Sequence, residues 1–299
     1  MSDLRLQGTY TAIVTPFRAD GSIDWAAFDV LLEAQVHGGV EGIVPCGTTG
    51  ESPTLTHEEH IEVVKRTVSR IAGRLQVIAG TGSNSTHEAI SLSKAAEQAG
   101  VQAIMVVVPY YNKPTQEGLY RHFVEVANAV RCPVVIYNIP GRTGIDLLAD
   151  TLARICEASS NVIGTKEATG NVLRAQQLVL RLGKRLTVLS GDDALTLAMI
   201  ACGARGVISV TSNVLPAEVA RATRLALEGK LDEARRAHLA LLPVHEAMFL
   251  EANPGPAKAA LSSRGIMLDA VRGPLAPVSE NTRRAIVATL AEYGRGARG

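Results

Sequence analysis

One lysine in this chain stands at the end of an apolar run. Residues 161–171 read NVIGTKEATGN: the run stops at Lys166 and small and polar residues follow. The chain has 7 lysines. Lys65 and Lys94 fall in helical patterns, Lys113 and Lys184 in polar loops, and Lys230 and Lys258 in a helical C-terminal stretch. Only Lys166 closes a strand-like segment. A free lysine has a pKa near ~10.4, so only about 0.04% is amine at pH 7. Burial disfavours the ammonium, and a fall of about two units multiplies the amine roughly 100-fold. Such a lysine attacks a carbonyl carbon and forms a Schiff base. Position alone also admits a snorkelling lysine or one paired with Glu167.

Other residues able to act with an amine gather at the ends of other apolar runs. CGTTGES at 46–52 has Gly47 and Gly50, which let backbone approach a ligand, and Thr48 and Thr49, which offer hydroxyls and N–H groups. This turn can hold a small carboxylate, or serve only as a strand-to-helix connection. PYYN at 109–112 and YNIPGRTG at 137–144 bring Tyr110, Tyr111 and Tyr137, half of the 6 tyrosines in a chain only 4% aromatic. A phenol beside an amine can shuttle protons. Arg142, in a loop flanked by Gly141 and Gly144, can take a carboxylate bidentately. Taken singly each tyrosine also reads as a packed aromatic; their clustering at run ends favours chemistry.

Other chemistries find no support. There is no Gly-x-Ser-x-Gly elbow, and GTGSNS at 80–85 lacks the third glycine of a dinucleotide fingerprint. CGTTGES has no Gly-Lys-Ser/Thr, so it is not a Walker loop. HEEH at 57–60 is one residue short of a zinc HExxH. Asp192 and Asp193 could suggest a metal but equally suit a helix N-terminus. The sequence therefore predicts no metal and no organic cofactor. The 30 basic residues against 29 acidic give a net charge of +1, which argues against a nucleic-acid surface. Cys46, Cys132, Cys156 and Cys202 are far apart with no CxxC pair, and read as free thiols in a reducing compartment. MSDLRLQGTY lacks a signal-peptide core, and AIMVVVPYY is too short to span a bilayer. These features predict a soluble cytoplasmic protein with no membrane partner.

Eight short apolar runs recur along the chain: TYTAIVTP, GIVPCG, QVIAGTG, AIMVVVP, PVVIYNIP, NVIGTK, LTVLSG and GVISVTS. Helical patterns separate them, beginning near Asp24, Thr56, Thr86, Thr115, Asp146, Gly170, Asp192 and Pro216. Thr56 with Glu59 three residues on forms a capping box. The runs are continuously apolar, as in a parallel sheet buried on both faces. Eight βα units match an α/β (β/α)8 TIM barrel; a doubly wound open sheet is the competing arrangement. Residues 1–228 read as the barrel, and 229–299 as a C-terminal helical extension with a Pro-Gly-Pro break at 254–256. In a barrel the strand ends and following loops form the site, and those are the places already singled out.

Assembled, these motifs resemble the dihydrodipicolinate synthase family, within the pyruvate-dependent class I aldolase superfamily that includes N-acetylneuraminate lyase. The resemblance runs from Gly8 to about Ala291, through GTTGES, IAGTG, PYYNKPTQEGLYRHF, YNIPGRTG, GTKEATGN, LSGDD, GVISVTSN and NPGPAK. It implies condensation of pyruvate with L-aspartate 4-semialdehyde on the route to diaminopimelate and lysine, with Lys166 forming the imine. By the same resemblance Thr48 and Thr49 hold the pyruvate carboxylate, and Arg142 the carboxylate of the second substrate. Tyr137, Thr48 and Tyr111 form a proton relay, with Tyr111 supplied by a neighbouring subunit of a homotetramer. Gly191 and Ile208 line the pocket. Ser52, His57, His60, Asn84, Glu88 and Tyr110 match a site for the inhibitor L-lysine. Gly141 stands where many relatives have Ser, and Pro53 replaces a small residue near that inhibitor cleft. Two alternatives remain: a sister lyase that uses the same imine on a sugar acid, and a silent barrel that binds a metabolite. A sugar aldehyde would give Arg142 no matching carboxylate, and the intact Lys166, Tyr137, Thr48 and Tyr111 set argues against silence.

Overall fold

The computed structural model describes residues 4–296. Each apolar run becomes a strand: β1 Gly8–Ala12, β2 Gly42–Val44, β3 Gln76–Gly80, β4 Ala103–Val107, β5 Val134–Asn138, β6 Val162–Glu167, β7 Thr187–Ser190 and β8 Gly206–Ser209. Neighbours pair in parallel in chain order, and β8 returns to β1 with Tyr10 opposite Ile208. This closure excludes the open-sheet alternative. Side chains alternate along a strand, so each run buries two faces. Tyr10, Val44, Ile78, Met105, Val135, Leu189 and Ile208 fill the barrel interior. Ile43, Val77, Ile104, Ile136 and Val188 point outward into the layer beneath the helices.

The helices follow the sequence signals closely. They are α1 Trp25–Gly38, α2 His57–Ile71, α3 Thr86–Gln98, α4 Gln116–Asn128, α5 Pro140–Thr143, α6 Ala149–Ala158, α7 Val172–Leu182, α8 Thr196–Ala201 and α9 Pro216–Leu227. Thr56 caps α2 reciprocally. Glu59 N–H donates to Thr56 Oγ1 at 3.2 Å, and Thr56 N–H to Glu59 Oε2 at 3.0 Å. Thr86 is the first residue of α3; Ser85 is its cap and accepts from Glu88 N–H. The helix expected near Asp146 begins at Ala149, because Asp146 instead accepts from Asn138 Nδ2 at 2.7 Å. The one-turn α5 has no sequence periodicity to announce it. Pro140 starts it, where a missing N–H costs nothing, and Gly144 stops it at φ 74°.

Beyond α9 the chain continues as α10 Leu231–Ala247, α11 Gly255–Ser263 and α12 Glu280–Gly296. The helical tail does break before the Pro-Gly-Pro segment, which then starts the next helix: α10 ends at Ala247, α11 begins at Gly255, and Pro256 occupies a first-turn position that needs no N–H donor. Leu241, Val244, Ala257, Leu261 and Ile286 join the apolar layer of the barrel helices, so the tail docks on the barrel. No described helix is long and apolar enough to cross a membrane.

Candidate active site

Strands β5 and β6 lie side by side with Tyr137 opposite Lys166. Residues in register on paired strands share a face, so both point inward. Lys166 is buried, and its Nζ lies 4.1 Å from the centroid of the Tyr137 ring. Glu167, one residue on, points the other way. Its carboxylate accepts the Thr169 N–H at 2.8 Å and faces Arg174 at 3.9 Å, so it is not the counter-ion of Lys166. Burial brings Lys166 down to about 8; the Asp193 carboxylate opposes this and the Arg142 guanidinium adds to it. At that value about a tenth of the lysine is amine at pH 7, a gain of roughly a few hundred-fold over a free lysine. Burial pushes Tyr137 up to about 12, against the pull of Arg142 and Thr48, so its phenol keeps its proton at neutral pH.

The turn after β2 folds back on itself. Gly50 N–H and Ser52 N–H donate to Gly47 O at 3.1 and 3.3 Å, and Glu51 N–H to Thr48 O at 3.1 Å. Thr48 faces a cavity of about 230 Å³ that is also lined by Tyr137, Arg142, Thr143, Gly47, Met105, Ser52, Pro53 and Tyr110. Thr49 is buried behind it, its Oγ1 receiving Asn253 Nδ2 at 3.0 Å. Arg142 reaches the cavity from α5, the turn after β5. Gly191 follows β7, and a Cβ there would lie 2.6 Å from Ala168 Cβ and 3.2 Å from Lys166 Cε. Its missing side chain is what leaves the Lys166 stem room. Ile208 is wholly buried in the barrel interior. Tyr111 stands apart: it is 89% exposed, at φ 73°, and outside the cavity wall of its own chain.

Of the six residues matched to a lysine site, Ser52 and Tyr110 line this cavity. His57 Nε2 and Glu88 Oε1 are 2.7 Å apart on the surface, and Ser83 Oγ donates to the other Glu88 oxygen. Tyr110 is half-buried over this group; burial first, and then the Glu88 charge, hold its phenol neutral. Asn84 O accepts from Asn112 Nδ2 at 2.9 Å, and Ser52 lines the cavity. His60 differs from the other five. It is buried, its Nε2–H donates to Gly80 O at 2.9 Å, and burial lowers it to about 4. His60 is thus a neutral histidine that ties α2 to β3, while His57 alone of the pair meets solvent.

Comparison with known proteins places this geometry. The model of the dihydrodipicolinate synthetase family matches residues 5–293. The chain belongs to that family. A relative from Sorangium cellulosum, named 4-hydroxy-tetrahydrodipicolinate synthase, is 58% identical over 97% of both chains. The solved 4-hydroxy-tetrahydrodipicolinate synthase of Methylacidiphilum fumariolicum superposes with a TM-score of 0.96 at 48% identity, covering 97% of each chain. The dihydrodipicolinate synthase of Acinetobacter baumannii, solved with pyruvate, gives 0.95 at 42% identity over 97% of this chain and 99% of that one. The enzyme of Cyanidioschyzon merolae, solved with lysine bound, gives 0.93 at 38% identity over 96% and 98%.

In this member of the dihydrodipicolinate synthetase family, residues near the site to which the sequence analysis assigned no catalytic role also bear on it. Asp193 is buried after β7 and accepts Val210 N–H and Thr211 N–H at 2.8 and 3.0 Å, while its charge acts on Lys166. Asp192 caps the turn beside it through Ala194 N–H. The Asp-Asp pair thus has a structural use on both residues. Lys258, read as a tail lysine, is fully buried and pairs with Glu51. The only signal for it was its place at the end of NPGPAK.

Proposed function

We propose that this chain catalyses the 4-hydroxy-tetrahydrodipicolinate synthase reaction, with Lys166 as the nucleophile. The observation that carries this reading is a buried lysine held over the ring of a buried tyrosine, beside a cavity that an arginine also lines. Lys166 Nζ attacks the ketone carbon of pyruvate and water leaves, giving an imine. Loss of a C3 proton gives the enamine, whose C3 bonds to the aldehyde carbon of L-aspartate 4-semialdehyde. The amine of that substrate then displaces Lys166 at the imine carbon, closing the ring and freeing the enzyme. Tyr137, Thr48 and a Tyr111 from a neighbouring subunit relay the protons. Thr48 and Thr49 hold the pyruvate carboxylate, Arg142 holds that of the semialdehyde, and Gly191 and Ile208 bound the pocket. The imine is itself the electron sink, so the reading calls for no metal and no organic cofactor.

The assignment of residues 1–228 to the catalytic barrel and 229–299 to a helical extension, a homotetrameric assembly and a cytoplasmic location belong to the same proposal. So does inhibition by L-lysine at Ser52, His57, Asn84, Glu88 and Tyr110, with His60 behind them; the lysine-bound relative supports it. The test is an assay of pyruvate with L-aspartate 4-semialdehyde, coupled to a reductase that consumes the product. Turnover is expected with that aldehyde and not with sugar-acid aldehydes. The reverse preference would favour the sister-lyase reading.

A further inference from the structure

Lys258 is fully buried, and a buried ammonium is costly unless it is paired. Three groups receive it: the Glu51 carboxylate, Ala270 O at 2.8 Å and the Phe17 ring at 4.2 Å. The other Glu51 oxygen accepts Arg272 N–H at 3.0 Å. Glu51 sits at φ 55°, in the left-handed region that a side-chain-bearing residue keeps only when its surroundings hold it. Two residues earlier Thr49 is tied to Asn253, itself buried. Asn253 and Lys258 are the first and last residues of NPGPAK, a tail motif that the chemistry leaves unused. Neither Thr49 nor Glu51 lines the cavity, and the two tail residues hold the Gly47–Ser52 turn through them, one at each end of the Thr49–Glu51 stretch.

We propose that Asn253 and Lys258 are positioning residues, through which the C-terminal tail sets the shape of the turn that receives the pyruvate carboxylate. This rests on the reading that Thr48 and Thr49 bind that carboxylate. A well-packed apolar pair in place of Lys258 and Glu51 would serve stability as well or better. What an ion pair and an amide bond add is direction, and a shift of about 1 Å in a binding turn is enough to cost ~100-fold.

The test compares Asn253→Ala, the double variant Lys258→Met with Glu51→Gln, and Thr48→Val, each against melting temperature and both KM values. The double variant leaves no unpaired buried charge, so it is expected to fold. Asn253→Ala and the double variant should each raise the KM for pyruvate about 10-fold. In both, the KM for the semialdehyde should stay within about two-fold, and borohydride trapping should slow at low pyruvate. Restoring an amide with Asn253→Gln should recover part of the loss. A folded Asn253→Ala enzyme with a normal pyruvate KM would overturn the role of Asn253, and a folded double variant with a normal one that of Lys258. Equal rises in both KM values would mark general loosening and overturn both. Thr48 lines the cavity and takes no hydrogen bond from the described residues of the tail, so a normal pyruvate KM in Thr48→Val would instead overturn the carboxylate reading beneath them.

Discussion

At the scale of single residues, the decisive group is Lys166, and its chemistry leaves a covalent record. Borohydride added with pyruvate should place a reduced pyruvyl mass on the peptide that contains Thr165-Lys166-Glu167. Label on another lysine, Lys258 included, would refute the assignment. Lys166→Arg should not trap, because a guanidinium stays protonated. The pH profile follows from the direction of the shift. The reactive form is the amine, and burial brings Lys166 to about 8, so single-turnover imine formation should rise about ten-fold per pH unit below that and level off above it. Arg142 lowers Lys166 and Asp193 raises it. The midpoint should therefore move up in Arg142→Ala and down in Asp193→Asn; midpoints that stay put would show that burial alone sets the value. Arg142→Ala makes a second, separable change. It should cut kcat/KM for the semialdehyde by about 10- to 100-fold, the worth of a charge-assisted bidentate contact, while pyruvate trapping at saturation persists.

At the scale of elements, Arg272 joins three loops that have little regular structure of their own. Its guanidinium donates to both Glu59 oxygens at 2.6 Å, to Gly21 O and to Thr54 O, and lies 4.3 Å over the Phe17 ring. The Glu59 that it grips also completes the α2 capping box. Arg272→Ala should lower stability by about 1–3 kcal/mol, read as a shifted denaturant midpoint at unchanged slope. A shift under about 0.5 kcal/mol would mean that the pair is a solvated surface contact. Contacts of this kind mark where the sequence stopped being readable. Strands β1 to β8 were legible because a run buried on both faces has to be apolar throughout, and α2 because its cap lies three residues from its partner. Lys166 was legible because polarity at the end of such a run is a local contrast. Lys258 was not, because a lysine on an Ala-rich helix reads as solvated and its partner Glu51 lies on the far side of the barrel sequence. His57 and His60 looked alike on one helix face; only the Gly80 carbonyl, from a different strand, separates them.

At the scale of the whole molecule, the proposed regulation of the site and its proposed completion by a second copy meet at the same rim. L-Lysine offers an ammonium for Glu88, which is now engaged by His57 across an exposed contact worth roughly 0–1 kcal/mol and easily exchanged. Partial, cooperative inhibition at millimolar L-lysine is expected, lost in Glu88→Ala or His57→Ala with uninhibited turnover largely kept; unchanged turnover of the parent enzyme would exclude it. Tyr110 spans the two functions, since it lines the catalytic cavity and feels the Glu88 charge. Its neighbour Tyr111 carries the stronger consequence. A phenol 89% exposed at φ 73° is held in a strained pose for which the described residues of its own chain give no packing reason. If it enters the cavity of a second copy, two dead enzymes can repair each other. Tyr111→Phe keeps a competent Lys166, and Lys166→Arg keeps a competent Tyr111. Dissociated, mixed in equal parts and reassembled, half of the dimers pair one variant with the other, and one of their two sites regains both groups. Activity should then return to about a quarter of the parent value, while either variant put through the same cycle alone stays near zero. Activity in the mixture no higher than the sum of the separate variants would mean that each chain uses its own Tyr111, and the relay would have to be drawn within one subunit.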